Sequence, residues 1–207
     1  MISIKIDKQI KTYNGKSNLV VQTLIEKGSV TKIYGPSGSG KTTFLKIIAG
    51  LISPEQGIIK VDDVIWLDTA AKLNLKPQQR KVGFVFQDYA LFPNMTVMEH
   101  LLYATSDTLL IERLLKIGKM ETFVQHRPKH LSGGQQQRLA ILRALAMRPS
   151  VLLMDEAFSA LDDELRVSLI MELKLLLKEF NTTTLIVSHH AQDTSGFADG
   201  SLKIDLD

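Results

Sequence analysis

The chain has 207 residues, 44% of them hydrophobic and 23% charged, with a formal net charge of +3 and a pI near 9.0. That is an ordinary globular balance with chain enough for a sizeable core. The lysines and arginines are scattered rather than clustered, so no nucleic-acid partner is expected. Cysteine is absent, which excludes disulfides, thiolate metal sites and a cysteine nucleophile and fits a cytosolic setting. No apolar run approaches the roughly 18 residues that span a bilayer, so any membrane role calls for a partner.

In chain order, the alternation in "MISIKIDKQI" predicts a strand over Ser3–Asp7 and excludes a signal peptide. A second strand follows over Leu19–Ile25, with Asn14-Gly15 as a hairpin turn. "SVTKIY" is a strand running into "GPSGSGKT", Gly35 to Thr42, and then a helix through Ile48. This stretch satisfies G-x-x-x-x-G-K-[ST] at every fixed position, between the strand and helix that the motif requires. Gly35, Gly38 and Gly40 allow the backbone of Pro36, Ser37 and Ser39 to turn its amides inward as a phosphate nest. The helix that follows, opening on Lys41, Thr42 and Thr43, adds its positive end. Lys41 is placed to reach β- and γ-phosphates, and the Thr42 hydroxyl to ligate magnesium.

"GIIKVDD" and "VGFVFQ" are further strands, after which Asp88 to about Met147 shows helical patterns with short loops. Within that region stands "LSGGQQQR", Leu131 to Arg138. Ser132 followed by Gln135 forms a capping box, so a helix starts near Gly133 and stops before Pro149. Its apolar face is expected on Leu139, Leu142 and Leu145 or Ala146. Gly133 and Gly134 leave bare amides at a positive helix end, a second place for a phosphate. One subunit cannot easily bring both helix starts to a single nucleotide. Two subunits arranged head to tail can.

"VLLMDE", Val151 to Glu156, is a buried strand ending in two carboxylates, the end at which open α/β sheets bind ligands. Asp155 would hold magnesium and Glu156 would orient and polarise an attacking water. A helix over Asp163–Phe180 and the strand in "TTLIVSHH" complete the pattern. Strands alternating with helices on near-continuous apolar runs predict a parallel sheet covered on both faces.

The chain resembles the ATP-binding subunit of ABC transporters over nearly its whole length, "LSGGQQQR" being the most specific mark. The resemblance implies a P-loop NTPase core with a mainly parallel sheet, an N-terminal antiparallel β subdomain and an inserted helical subdomain. The domain 1–207 would divide into a core of 1–87 and 148–207 and a helical subdomain of about 88–147. Tyr13 is similar to the aromatic that stacks on adenine, and Gln87 to the glutamine that senses magnesium and the attacking water. "SALD", Ser159 to Asp162, is similar to the loop that crosses the dimer interface, and His189 to the switch histidine at the γ-phosphate. Ser159–Asp162 could equally cap the next helix. His190 stands where the family usually has an acid, and the arginine usual after "AD" is missing, so the last strands are expected to be trimmed. The two histidines lack a third ligand at suitable spacing, and zinc is not expected.

The implied cofactors are ATP and Mg2+. The implied partners are a second copy of the chain on ATP binding, transmembrane permease subunits and, indirectly, a substrate-binding protein. The implied location is the cytoplasmic face of the plasma membrane. "RKVGFVFQDYALFPNMTVMEH" resembles importers of oxyanions and sugars, and "VIWLDTAAKLNLKPQQR" molybdate or tungstate importers. With residues 190–207 following His189, the C-terminal regulatory domain that many importers carry is not expected. The alternative is a family ATPase that moves no solute, as a cell-division, mechanical or nucleic-acid-associated partner.

Overall fold

Two sheets with a helix between them set the frame, in a computed structural model that describes residues 1–12, 15–188 and 196–206. The first sheet is antiparallel, in the order β2-β1-β4-β5-β6. Its strands are β1 (Ile2–Thr12), β2 (Gly15–Ile25), β4 (Gln56–Val61), β5 (Val64–Asp68) and β6 (Leu73–Asn74). The alternation foreseen at the N-terminus is real. Ile2, Ile4 and Ile6 are buried, and Ile2 and Ile4 pair across with Val61 and Ile59.

The second sheet is wholly parallel, in the order β10-β3-β9-β8-β7. Its strands are β3 (Val30–Tyr34), β7 (Val82–Val85), β8 (Val151–Asp155), β9 (Thr183–Val187) and β10 (Gly200–Lys203). Along β8 successive side chains enter different cores: Val151 and Leu153 face one, Leu152 and Met154 the other. Both faces are therefore covered, which is why the strand reads as an unbroken apolar run.

The first core lies between the two sheets and is filled by Phe44, Leu45, Ile47 and Ile48 of α1 (Lys41–Ile48). The second packs the parallel sheet against α4 (Gly133–Ala146), α5 (Asp163–Phe180), α2 (Val97–Ala104) and α3 (Thr108–Ile117). Every residue of α4 from Gln137 to Ala146 is buried except Arg143. The single apolar face expected for α4 is thus too modest, because neighbours enclose the helix on nearly all sides.

Three strands depart from expectation. β5 and β6 carry no clean period-2 signal, since Val64 and Ile65 are both exposed, Trp66 and Leu67 are both buried, and the register with β4 shifts at Ile59/Lys60. The final strands are not wholly trimmed, because β10 pairs in parallel with β3 from Gly200↔Thr31 to Lys203↔Tyr34. As a mostly exposed edge strand it has little hydrophobic pattern to betray it.

Candidate nucleotide site

β3 ends at Tyr34 and the chain turns through Gly35–Gly40 into α1. At Gly35, φ is +155° and an added Cβ would sit 2.0 Å from the Ile204 carbonyl oxygen, so only glycine lets the loop lie against the segment after β10. Gly40 is the N-cap of α1 and offers no side-chain cap, which leaves the first-turn amides uncovered. A missing cap costs about 1 kcal/mol, whereas each large apolar side chain that α1 buries contributes roughly 1.5–3 kcal/mol. The core therefore holds the helix start open. Lys41 curls back over the loop, its Nζ donating to Gly35 O at 2.9 Å and Pro36 O at 2.7 Å. Ser39 is buried and its Oγ has no hydrogen-bond partner among the described residues.

The carboxylates come from β8. Asp155 is 3% exposed and hydrogen-bonded to Thr42, while its Oδ1 has no partner among the described residues. Burial holds its carboxyl above the ordinary carboxylate range, and the Thr42 bond opposes that shift. A buried carboxylate oxygen without a partner, beside a hydroxyl, is a donor set suited to Mg2+, which also takes water and phosphate oxygens. Thr42 and Asp155 would hold it.

Glu156 follows with φ at +51°, a left-handed setting that costs a non-glycine residue about 1–3 kcal/mol. Its N–H donates to Val187 O at 3.0 Å, and its Oε2 accepts from Gln87 Nε2 at 3.3 Å. A cavity of about 350 Å³ gathers these groups: Ser37, Gly38, Gly40, Lys41, Thr42, Thr43, Glu156 and Val187 line it with Ile10 and Lys11 of β1. Tyr13, His189 and His190 lie outside the described residues. A larger cavity of about 720 Å³ on the outer face of the antiparallel sheet shares no lining residue with this one among the described residues.

The second helix start is elsewhere. Ser132 caps α4, its Oγ accepting from Gln135 N at 3.3 Å while Gln135 Oε1 accepts from Ser132 N at 2.8 Å. Ser132 and Gly133 are exposed, and none of Ser132, Gly133, Gly134 or Gln135 lines the phosphate-loop cavity. Asp162 does not line it either. Its Oδ1 accepts from Leu165 N at 2.9 Å as the N-cap of α5.

A family model described as ABC transporter matches residues 20–159. The chain belongs to the ABC transporter family. It is 44% identical over 173 residues to the Chlorella vulgaris protein named Probable sulfate/thiosulfate import ATP-binding protein CysA, covering 80% of this chain and 71% of that one. It is 41% identical over 183 residues to the glucose import ATP-binding protein GlcV of Saccharolobus solfataricus, covering 84% and 52%. It superposes with a TM-score of 0.83 on a dimeric post-hydrolysis structure of the ATP-binding cassette MJ0796 bound to ADP and Pi. The identity there is 32%, over 99% of this chain and 94% of that one. The fold is therefore that of an ABC ATPase, a family that binds ATP with Mg2+ as the usual cofactor. No helix among the described residues is long and apolar enough to cross a membrane.

Several polar residues frame this ABC site without a role that their position in the sequence gave them. Arg80 is 1% exposed and donates to Ile47 O and Ile48 O at the end of α1 and to Asn74 Oδ1. Burial pulls its guanidinium down to about 10. Arg143 of α4 donates to Ala90 O at 2.7 Å and Tyr89 O at 3.2 Å, two residues with positive φ just after Gln87. His100 of α2 holds the same turn, accepting from Phe92 N at 2.9 Å. Gln137 of α4 joins Glu156 O, Ser159 Oγ and Ala160 N. The available signal for Gln137 was a polar residue on a helix face otherwise made of Ala140, Ile141 and Ala144.

Proposed function

We propose that the protein is a Mg2+-dependent ATPase that dimerises on ATP and drives an importer through permease subunits at the cytoplasmic face of a membrane. One observation carries the reading. Lys41, Thr42 and Glu156 converge on a single cavity, while Ser132 and Gly133 at the start of α4 are exposed and do not line it. A second copy placed head to tail would supply the missing helix start to each cavity, and the dimeric relative supports the pairing of two copies.

In this reading the loop amides and Lys41 cradle the phosphates of ATP. Glu156, steadied by Gln87, takes the proton of a water attacking the γ-phosphate in line. Thr42 and Asp155 would hold a magnesium ion, which would supply charge neutralisation at the phosphate oxygens. Gly133 and Gly134 of the partner copy offer amides to the γ-phosphate. Tyr13 is assigned to the adenine and His189 to the γ-phosphate on the family resemblance. Residues 1–87 and 148–207 would form the nucleotide-binding core and about 88–147 the helical part. The stretch Gln87–Val97 would face the permease.

For the solute we propose an oxyanion of the molybdate or tungstate kind. Support comes from the stretch before Gln87 and from the sulfate/thiosulfate importer among the relatives. The solute itself would be bound by other chains.

Glu156→Gln tests the core of the proposal. ATP binding should persist, hydrolysis should fall roughly 10²–10⁴-fold, and an ATP-held dimer should accumulate on size exclusion. Turnover within a few-fold of the parent would remove Glu156 from its role.

A further inference from the structure

Gln137 sits one turn into α4 and is 1% exposed, so its amide must find partners within the protein. It finds three, all in the turn that leaves β8. Its Nε2 donates to Glu156 O at 3.1 Å and to Ser159 Oγ at 3.3 Å, and its Oε1 accepts from Ala160 N at 2.9 Å. Ser159 Oγ also donates to Glu156 O at 3.0 Å. The carbonyl of Glu156 is thus held from two sides while its backbone sits at φ +51°. A residue in that setting returns to ordinary angles unless its surroundings over-determine it, and rotation of its peptide would carry the carboxylate away from the cavity it lines. The same helix is pressed on this turn at Gly134, where a Cβ would lie 3.0 Å from Ala160 O.

We infer that Gln137 is a positioning residue for hydrolysis: it fixes the Glu156 carbonyl so that the carboxylate faces the phosphate-loop cavity, and it ties that pose to the α4 helix start at Ser132–Gly134. The inference rests on Glu156 acting on the attacking water. It follows that the helix offered to one nucleotide and the carboxylate serving the other move as one body within a subunit. Engagement at one site then sets the geometry of the second.

The test uses the full chain with two substitutions. Gln137→Leu keeps the volume and removes all three bonds. Gln137→Glu keeps an acceptor for Ala160 N–H, but its carboxylate cannot donate to Glu156 O, and only the protonated acid can. We expect Gln137→Leu to lower kcat about tenfold or more with ATP affinity and thermal midpoint near the parent's. The deficit of Gln137→Glu, measured against the parent at each pH, should shrink as pH is taken from 8.5 to 6.5. A filler role would not move with pH. A Gln137→Leu kcat within twofold of the parent overturns the inference. So does a loss of kcat matched by lost ATP affinity together with a pH-independent deficit in Gln137→Glu. Glu156→Gln is run alongside. Turnover surviving in Glu156→Gln overturns the role of Glu156 and this inference with it. An inactive Glu156→Gln beside a parent-like Gln137→Leu overturns the inference about Gln137 alone.

Discussion

Asp155 shows at the level of one residue how the site sets stability against ligand binding. Its carboxyl is raised above 3.8 because burial disfavours the charged form, with the Thr42 bond pulling the other way. The folded protein therefore holds that proton more tightly than the unfolded chain does. The ionised group costs the fold stability above the raised pKa and costs nothing below 3.8. Asp155→Asn should raise the thermal midpoint of the nucleotide-free protein at pH 8, and the gain should close as pH falls toward 4. The same variant should lose most of the midpoint increase that Mg2+ with ATP gives the parent. Differential scanning fluorimetry in both states checks it. A variant that melts below the parent without ligand, or that keeps the full ligand increase, would contradict the placement of Asp155. The glycine-rich turn into α1 and an acid at the end of β8 were legible in sequence because each follows a local rule of turn or strand composition. The hydrogen bond between Thr42 and Asp155 was not, because it joins α1 to β8 across more than a hundred positions.

At the scale of elements, the turn after Gln87 is held from two helices. Arg143 of α4 takes its carbonyls at Tyr89 and Ala90, and His100 of α2 takes the Phe92 amide. His100 Nδ1 lies 2.7 Å from Thr96 O, so the neutral ring donates there and accepts at Nε2. Burial lowers its pKa from 6.5, with the Thr96 bond opposing and Arg143 adding to the effect. The unfolded chain thus binds the proton first as pH falls. The stability that neutral His100 supplies is complete above 6.5 and declines below it. His100→Gln keeps an amide oxygen for Phe92 and cannot titrate. Its unfolding free energy should depend less steeply on pH between 7 and 5 than the parent's, by at most about one proton's slope. Equal slopes in urea titrations would show that His100 is not buried neutral. Sequence reading missed this clamp because an isolated histidine or arginine on a helix has no spacing to mark its partner.

For the whole molecule the question is what completes the site. The cavity around the phosphate loop holds Lys41 and Glu156 but not Ser132–Gln135. Ser132→Arg should therefore leave monomer ATP affinity almost unchanged and abolish turnover, because the new side chain stands where a partner's γ-phosphate would approach the bare amides. Combined with Glu156→Gln it should prevent the ATP-held dimer on size exclusion. A double variant that still dimerises on ATP would show that this helix start faces something other than nucleotide.

Residue order by itself determined the phosphate loop, the acids ending β8, the capped start of α4 and the span of α5. Each is a local rule about backbone angles, capping or strand burial, and local rules survive without neighbours. Tertiary structure decided what those pieces hold. It placed Arg80 under α1, added β10 to the edge of the parallel sheet, and fastened Gln137 to the carbonyl of Glu156. Those links join residues far apart in sequence through buried polar groups. Such groups are satisfied only once packing has brought a partner within about 3 Å.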